Sequence, residues 1–152
     1  MLNVGDKAPI FSLMSDSRKK LSLKDFSGGT LVLYFFPKAD TPGCTNEANQ
    51  FRDAKKELEK QHARIAGMSA DTPEALAKFR EKYGLNFPLL SDPSHETLEA
   101  YGVWQEKNMY GKKSMGIVRT TYIIGPDGKI THVFPRVKVD GHIHEVLEAL
   151  AK

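Results

Sequence analysis

The densest apolar stretch of the chain is Thr30-Leu-Val-Leu-Tyr-Phe-Phe36, which has no polar residue at alternate positions. A strand with one wet face would alternate, so this run predicts a strand buried on both faces. Upstream, Phe11-Ser-Leu and Leu21-Ser-Leu alternate briefly on either side of the polar run Ser15-Asp16-Ser17-Arg18, the pattern of an N-terminal β-hairpin. Downstream, Pro37 ends the apolar strand and Pro42-Gly43 makes a second break. Ala48, Phe51, Ala54 and Leu58 then recur at intervals of 3, 3 and 4, which predicts one amphipathic helix from about Cys44 to Lys60.

The pattern continues to alternate. Ala63 to Met68 reads as a strand. Asp71-Thr72-Pro73 starts a helix whose buried face is Leu76, Phe79 and Tyr83, with Gly84 as its stop. Phe87-Pro-Leu-Leu90 is a short strand and Pro93 to Tyr101 a short helix. Residues 103–116 read as a long basic loop. Val118 to Ile124 and Lys129 to Phe134 are strands joined by the turn Gly125-Pro126-Asp127-Gly128. Ile143, Val146, Leu147 and Leu150 mark a last amphipathic helix.

The order is therefore a hairpin followed by β-α-β-α-β-α-β-β-α. Alternating strands and helices predict an α/β protein with a central mixed sheet flanked by helices. That order fits a thioredoxin-like fold with an N-terminal β-hairpin extension. The 152 residues contain no repeat, low-complexity stretch or linker, so they are read as a single domain spanning 1–152.

Composition narrows the function classes. Hydrophobic residues are 40% and charged residues 27%, ordinary for a soluble domain. The net charge of +3 is slight and scattered, which argues against a nucleic-acid partner. No apolar run approaches membrane length, no leader-like segment follows Met1, and one cysteine cannot make an internal disulfide. These features predict a cytoplasmic protein with no membrane partner.

That single cysteine, Cys44, lies where a buried strand ends and a helix begins. Helix N-termini carry unpaired N–H groups and partial positive charge, both of which stabilise a thiolate. The thiolate is the nucleophilic form of cysteine. A buried, inert cysteine is the competing reading, because free cysteine is among the most buried residue types.

The surrounding residues separate the two. Pro37-Lys-Ala-Asp-Thr41-Pro-Gly-Cys44 matches the Pro-x-x-x-Thr-x-x-Cys pattern of the peroxiredoxins. The longer run from Tyr34 to Ala48, with Gly5-Asp-Lys-Ala-Pro, Gly116-Ile-Val-Arg119-Thr-Thr-Tyr and Pro126-Asp-Gly-Lys, resembles the bacterioferritin comigratory protein (peroxiredoxin Q) subfamily over nearly the whole chain. The resemblance implies a thiol peroxidase that reduces hydrogen peroxide and alkyl hydroperoxides with no cofactor. It also implies a monomer.

The same resemblance implies the site. Cys44 would be the peroxidatic nucleophile and become a sulfenic acid. Thr41 would hold its hydroxyl beside the thiolate and the attacked oxygen, where otherwise it would be an ordinary helix cap. Pro37 would shield the thiolate; its plainer role is to end a strand. Arg119 would bring a permanent charge that supports the thiolate and the leaving oxygen, although an arginine near a strand start is ordinarily a surface residue. Glu47 resembles a position that supports Arg119 or the loop, but it reads more plainly as a first-turn acid complementing the helix dipole and stays outside the catalytic set.

One departure bears on the reaction cycle. Many relatives carry a second, resolving cysteine five residues after the first, and here that position is Asn49. Five residues of helix span roughly 7.5 Å of rise and about 140° of rotation, whereas a disulfide needs Cα atoms within about 7 Å. Relatives using such a pair must unwind the helix. With no second cysteine, the sequence implies a one-cysteine cycle closed by an external thiol: thioredoxin, glutaredoxin or a small thiol.

Other chemistry is less well supported. His142-Ile-His144 lacks companions at metal-ligand spacing and is read as surface or hydrogen-bonded rather than as a metal site. A thioredoxin-type oxidoreductase would use Cys-x-x-Cys, and Cys44-Thr-Asn-Glu47 supplies one thiol. A non-catalytic redox sensor on the same fold would keep Cys44 but have no need of Arg119.

Overall fold

The computed structural model describes residues 1–152. Strands β1 (Ser12–Ser15) and β2 (Lys20–Ser22) form the N-terminal hairpin, followed by a 3₁₀ turn at Leu23–Phe26. Then come β3 (Thr30–Phe35), α1 (Pro42–Asp53), α2 (Lys55–Lys60), β4 (Ala63–Ser69) and α3 (Pro73–Tyr83). The chain continues through β5 (Leu89–Ser91), α4 (Glu96–Ala100), β6 (Trp104–Met109), β7 (Lys112–Ile117), β8 (Thr120–Ile124), β9 (Ile130–Phe134) and α5 (His142–Leu150).

Seven strands form one sheet in the order β2-β1-β5-β4-β3-β8-β9. The β3–β4 and β4–β5 pairs are parallel, while β3–β8, β8–β9, β1–β5 and β1–β2 are antiparallel. The mixed sheet is the one expected, and the doubly buried strand sits at its heart. Val32, Tyr34 and Phe36 point into a core shared with α1, α2, α3 and α5. Leu31, Leu33 and Phe35 point the other way, into a core with Phe26, Leu98 of α4, Tyr101 and Tyr122. None of these six strand residues is more than 1% exposed. No helix is long and apolar enough to cross a membrane.

Two expectations change. The helix predicted from about Cys44 to Lys60 starts two residues earlier, at Pro42, and is broken at Ala54 (φ −93°, ψ 2°). Its apolar stripe survives the break, since Ala48, Phe51, Ala54 and Leu58 are all buried in one core. Residues 103–116 are not a loop. They form a separate antiparallel hairpin, β6–β7, turning at Tyr110 and Gly111, whose φ angles of 53° and 79° are the left-handed pair of a type I′ turn. The pattern was hidden because most of the hairpin lies off the main core, so polar and charged residues occupy both of its faces.

Candidate active site

Cys44 lies where the central strand hands over to α1. Phe36 N–H still donates to Met68 O at 3.1 Å, after which Pro37, half-buried, turns the chain out of the sheet. The loop is then pinned from two sides. Ala39 N–H donates to Asp71 Oδ2 at 2.8 Å, and the same oxygen accepts from Ser69 Oγ. Asp40, in a left-handed conformation at φ 61°, accepts from Tyr83 Oη and from Lys82 Nζ at 2.9 Å. Those two bonds, Tyr83's first, lower the Asp40 pKa from its ordinary value.

Thr41 is the N-cap of α1 with extended backbone, and its carbonyl accepts from Thr45 N–H at 2.8 Å. Its side chain makes no capping bond. The hydroxyl instead donates to Lys38 O at 2.8 Å, so its oxygen lone pairs remain free to accept. The cap reading therefore holds for the backbone of Thr41 but not for its hydroxyl.

Pro42 opens the helix, and Gly43 and Cys44 complete the first turn, where backbone N–H groups have no intrahelical acceptor. Cys44 is 1% exposed and packed among Tyr34, Phe36, Ala48 and Phe51, so burial alone would suit an inert cysteine. The contact to the sulfur argues otherwise. Arg119 Nη2 lies 3.4 Å from Cys44 Sγ, although 75 residues separate them in the chain.

Arg119 sits between β7 and β8, its carbonyl fixed by Val137 N–H at 2.9 Å. Its second nitrogen, Nη1, donates to Glu47 Oε1 at 2.7 Å. One guanidinium thus bridges the sulfur and a carboxylate, a geometry its planar fork allows and a single ammonium does not. Burial works against the Arg119 charge, but Glu47 and Cys44 outweigh it and raise the guanidinium pKa.

Glu47 takes the place the resemblance implied, supporting Arg119, and not the plainer one of a first-turn acid. It lies beyond the first turn of α1, is 2% exposed, and faces the site rather than the helix terminus. Burial pushes its pKa up to about 7, against the opposing pull of Arg119, and its Oε2 has no partner. Beneath it, Tyr34 stacks on Phe51 at 4.5 Å between ring centroids, with its own hydroxyl buried and unpartnered. Burial, followed by the Glu47 and Cys44 charges, raises the Tyr34 pKa well above its usual value.

Gly43 also carries more than the turn read from the sequence. A Cβ there would stand 3.2 Å from Arg119 Nη2. Gly43→Ala should displace the guanidinium from the sulfur by a few tenths of an ångström while leaving stability unchanged, or improving it by up to about 1 kcal/mol, because alanine is the better helix former. Peroxide reactivity falling several-fold while the urea midpoint holds or rises is the expected pair of results.

The remaining residues fall outside this cluster. Asn49 is half-buried, and its Oδ1 accepts from Arg52 Nη1 at 3.1 Å; the same nitrogen donates to Tyr83 O at 2.7 Å, tying α1 to the end of α3. His142 is buried, with Nε2 2.8 Å from Thr121 Oγ1, while His144 is exposed. Burial, opposed by Glu145, lowers the His142 pKa.

The chain that carries this site also resembles known proteins over nearly its whole length. The AhpC/TSA family profile matches residues 4–133. Peroxiredoxin Bcp of Escherichia coli K12 is 47% identical over 146 residues, 96% of this chain and 93% of that one. A mutant PrxQ of Xylella fastidiosa superposes with a TM-score of 0.94 at 35% identity, covering 99% of this chain and 96% of that one. The bacterioferritin comigratory protein of Xanthomonas campestris, described for its alkyl peroxide reduction activity, superposes with a TM-score of 0.88 at 38% identity, covering 93% and 90%. With its profile match, its full-length relatives and its arginine-held cysteine, this chain belongs to the AhpC/TSA family and, within it, to the Bcp/PrxQ peroxiredoxins.

Proposed function

We propose that the protein is a one-cysteine thiol peroxidase, reducing hydrogen peroxide and alkyl hydroperoxides at Cys44 and regenerated by an external thiol. The observation that carries the reading is the 3.4 Å contact of Arg119 with the only sulfhydryl in the chain.

The Cys44 thiolate attacks the terminal oxygen of the hydroperoxide. An S–O bond forms as the O–O bond breaks; sulfur gives up two electrons, and the departing alkoxide or hydroxide takes a proton to leave as alcohol or water. Arg119 holds the thiolate before attack and offers its N–H groups as charge shifts onto the leaving oxygen, where preorganised donors act most strongly. Thr41, with its lone pairs free, accepts a hydrogen bond from the O–H of the incoming hydroperoxide and holds the attacked oxygen in line. Pro37 closes the cysteine side of the loop against water. An external thiol then displaces water from the sulfenic acid, giving a mixed disulfide, and a second thiol releases Cys44.

With no partner sulfur to capture it, the sulfenic acid is exposed to further peroxide. Peroxide supplied in excess of thiol should carry Cys44 to the sulfinic and sulfonic acids, seen as mass increases confined to its peptide. A Cys44 peptide that stays unmodified, or halts as an intermolecular disulfide between two chains, contradicts the one-cysteine cycle.

A further inference from the structure

Tyr83, the last residue of α3, is bonded to the chain on both sides of Cys44. Its hydroxyl donates to Asp40 Oδ1 in the loop before the sulfur. Its carbonyl accepts from Arg52 Nη1 at 2.7 Å on α1 beyond it, and the same nitrogen donates to Asn49 Oδ1 at 3.1 Å. The tyrosine is itself held from within. Its half-buried ring meets Phe79 edge-on at 5.6 Å between centroids, and Phe79 packs on Phe36 at 6.0 Å, the residue from which Pro37 leaves the sheet. The anchor of the loop is thus built on the same core as the strand that delivers the loop.

The bond to Asp40 falls at a demanding point of the backbone. The Asp40 φ of 61° is left-handed, a conformation that costs a non-glycine residue and that aspartate tolerates better than most. Asp40 also lies inside the turn that the Thr41 hydroxyl closes on Lys38 O at 2.8 Å. Releasing its carboxylate from α3 would free that turn, and with it the direction of the Thr41 lone pairs. The two donors to Asp40 are not equal. The Lys82 and Asp40 side chains are 58% and 43% exposed, so water and salt screen their pair, and exposed ion pairs of this kind contribute little. The Tyr83 hydroxyl is carried on a ring that packing already fixes, so little side-chain freedom is lost when its bond forms.

We propose that Tyr83 is a positioning residue of the peroxidase site, holding Asp40 so that the Thr41 hydroxyl is aimed at the incoming hydroperoxide. The proposal rests on Cys44 being the peroxide-reactive group and on Thr41 receiving the hydroperoxide. Tyr83 acts through Asp40 and Thr41 rather than on the sulfur. The sequence marked Tyr83 only as part of the buried face of α3, which accounts for its ring and not for its hydroxyl.

The test is the second-order rate of Cys44 oxidation by hydrogen peroxide on the full chain, with the urea midpoint of each variant recorded. Tyr83→Phe keeps the ring on Phe79 and removes the donor. It should lower the rate about three- to tenfold, because a misdirected positioning group costs rate on this scale or more. Asp40→Gly removes the acceptor but leaves a residue at ease in the left-handed region. It should lose as much, and the two changes together should lose no more than either alone. Asp40→Asn keeps an acceptor for the hydroxyl and should recover most of the wild-type rate. Lys82→Met should cost less than about twofold. In a Thr41→Val chain, already slowed by loss of the hydroxyl, Tyr83→Phe should have no further effect. A fast wild type matched by an equally fast Tyr83→Phe overturns the role of Tyr83. So does an equal further loss in the Thr41→Val chain, which would mark a general loosening of the fold. A slow wild type overturns the peroxidase reading beneath it.

Discussion

Replacing Arg119 with alanine should lower the rate of Cys44 oxidation by hydrogen peroxide about 10²- to 10³-fold at neutral pH, the loss typical for removal of one preorganised donor at a developing negative charge. Two contacts disappear together: Nη2 at 3.4 Å from the sulfur and Nη1 at 2.7 Å from Glu47. The thiolate loses its nearest cation, and the leaving oxygen loses its donor. Glu47 is left buried without the charge that holds it. Arg119→Lys should recover only a small part, because one ammonium cannot occupy both positions of the fork. Stopped-flow oxidation of the three proteins, each with its thermal midpoint recorded, separates lost chemistry from lost fold. Equal rates in Arg119→Ala and wild type would remove Arg119 from the mechanism.

The second large effect concerns Glu47 and pH. Its folded pKa, raised to about 7, lies above the ordinary value of 4.5 because burial disfavours the carboxylate. Between those values the folded chain keeps a proton that the unfolded chain releases. The stabilising contribution of this group is therefore complete below about pH 4.5 and is lost as pH rises through about 7. The loss is on the order of 3 kcal/mol across that window. Glu47→Gln, neutral throughout and still able to accept from Arg119, should flatten this slope, so that its stability relative to wild type improves from pH 5 to pH 8. Glu47→Ala should destabilise at every pH, by about 2–4 kcal/mol near neutrality, because it leaves a cavity and a buried guanidinium without its partner. Urea unfolding of the three chains at several pH values gives the comparison. Parallel pH curves for wild type and Glu47→Gln would show that Glu47 titrates normally.

Much of this architecture was legible from the residues. The unbroken run from Leu31 to Phe36 announced a strand buried on both faces, and both cores are built on it. Thr72-Pro73 and Gly84 marked the ends of α3 correctly: Thr72 Oγ1 accepts from Ala75 N–H, and Gly84 adopts φ 59°. The β6–β7 hairpin was not legible, because periodicity reports burial and this hairpin is mostly outside the main core. Its one local signal is Tyr110-Gly111, a pair suited to a tight turn once left-handed angles are needed at both positions.

The site shows the same division. The place of Cys44 at the strand–helix junction follows from local pattern. Arg119 does not, since nothing local to residue 119 points to residue 44; only the family resemblance paired them. The resemblance rightly set Glu47 beside Arg119, but the plainer reading as a first-turn acid failed because a helix start placed at about Cys44 put it near the terminus. With the start at Pro42, residue 47 falls on the inward face, one turn beyond Cys44. Gly43 was read as a turn breaker, and its second role, clearance for a guanidinium, exists only in three dimensions.

The most direct test of the central claim is the number of peroxide molecules consumed per Cys44 when the purified chain is supplied with hydrogen peroxide and an excess of small thiol. A one-cysteine peroxidase consumes peroxide steadily through many equivalents, and Cys44→Ser consumes none above the uncatalysed rate. Consumption that stops at one equivalent, with Cys44 trapped in its oxidised form, would mean a stoichiometric sensor rather than an enzyme.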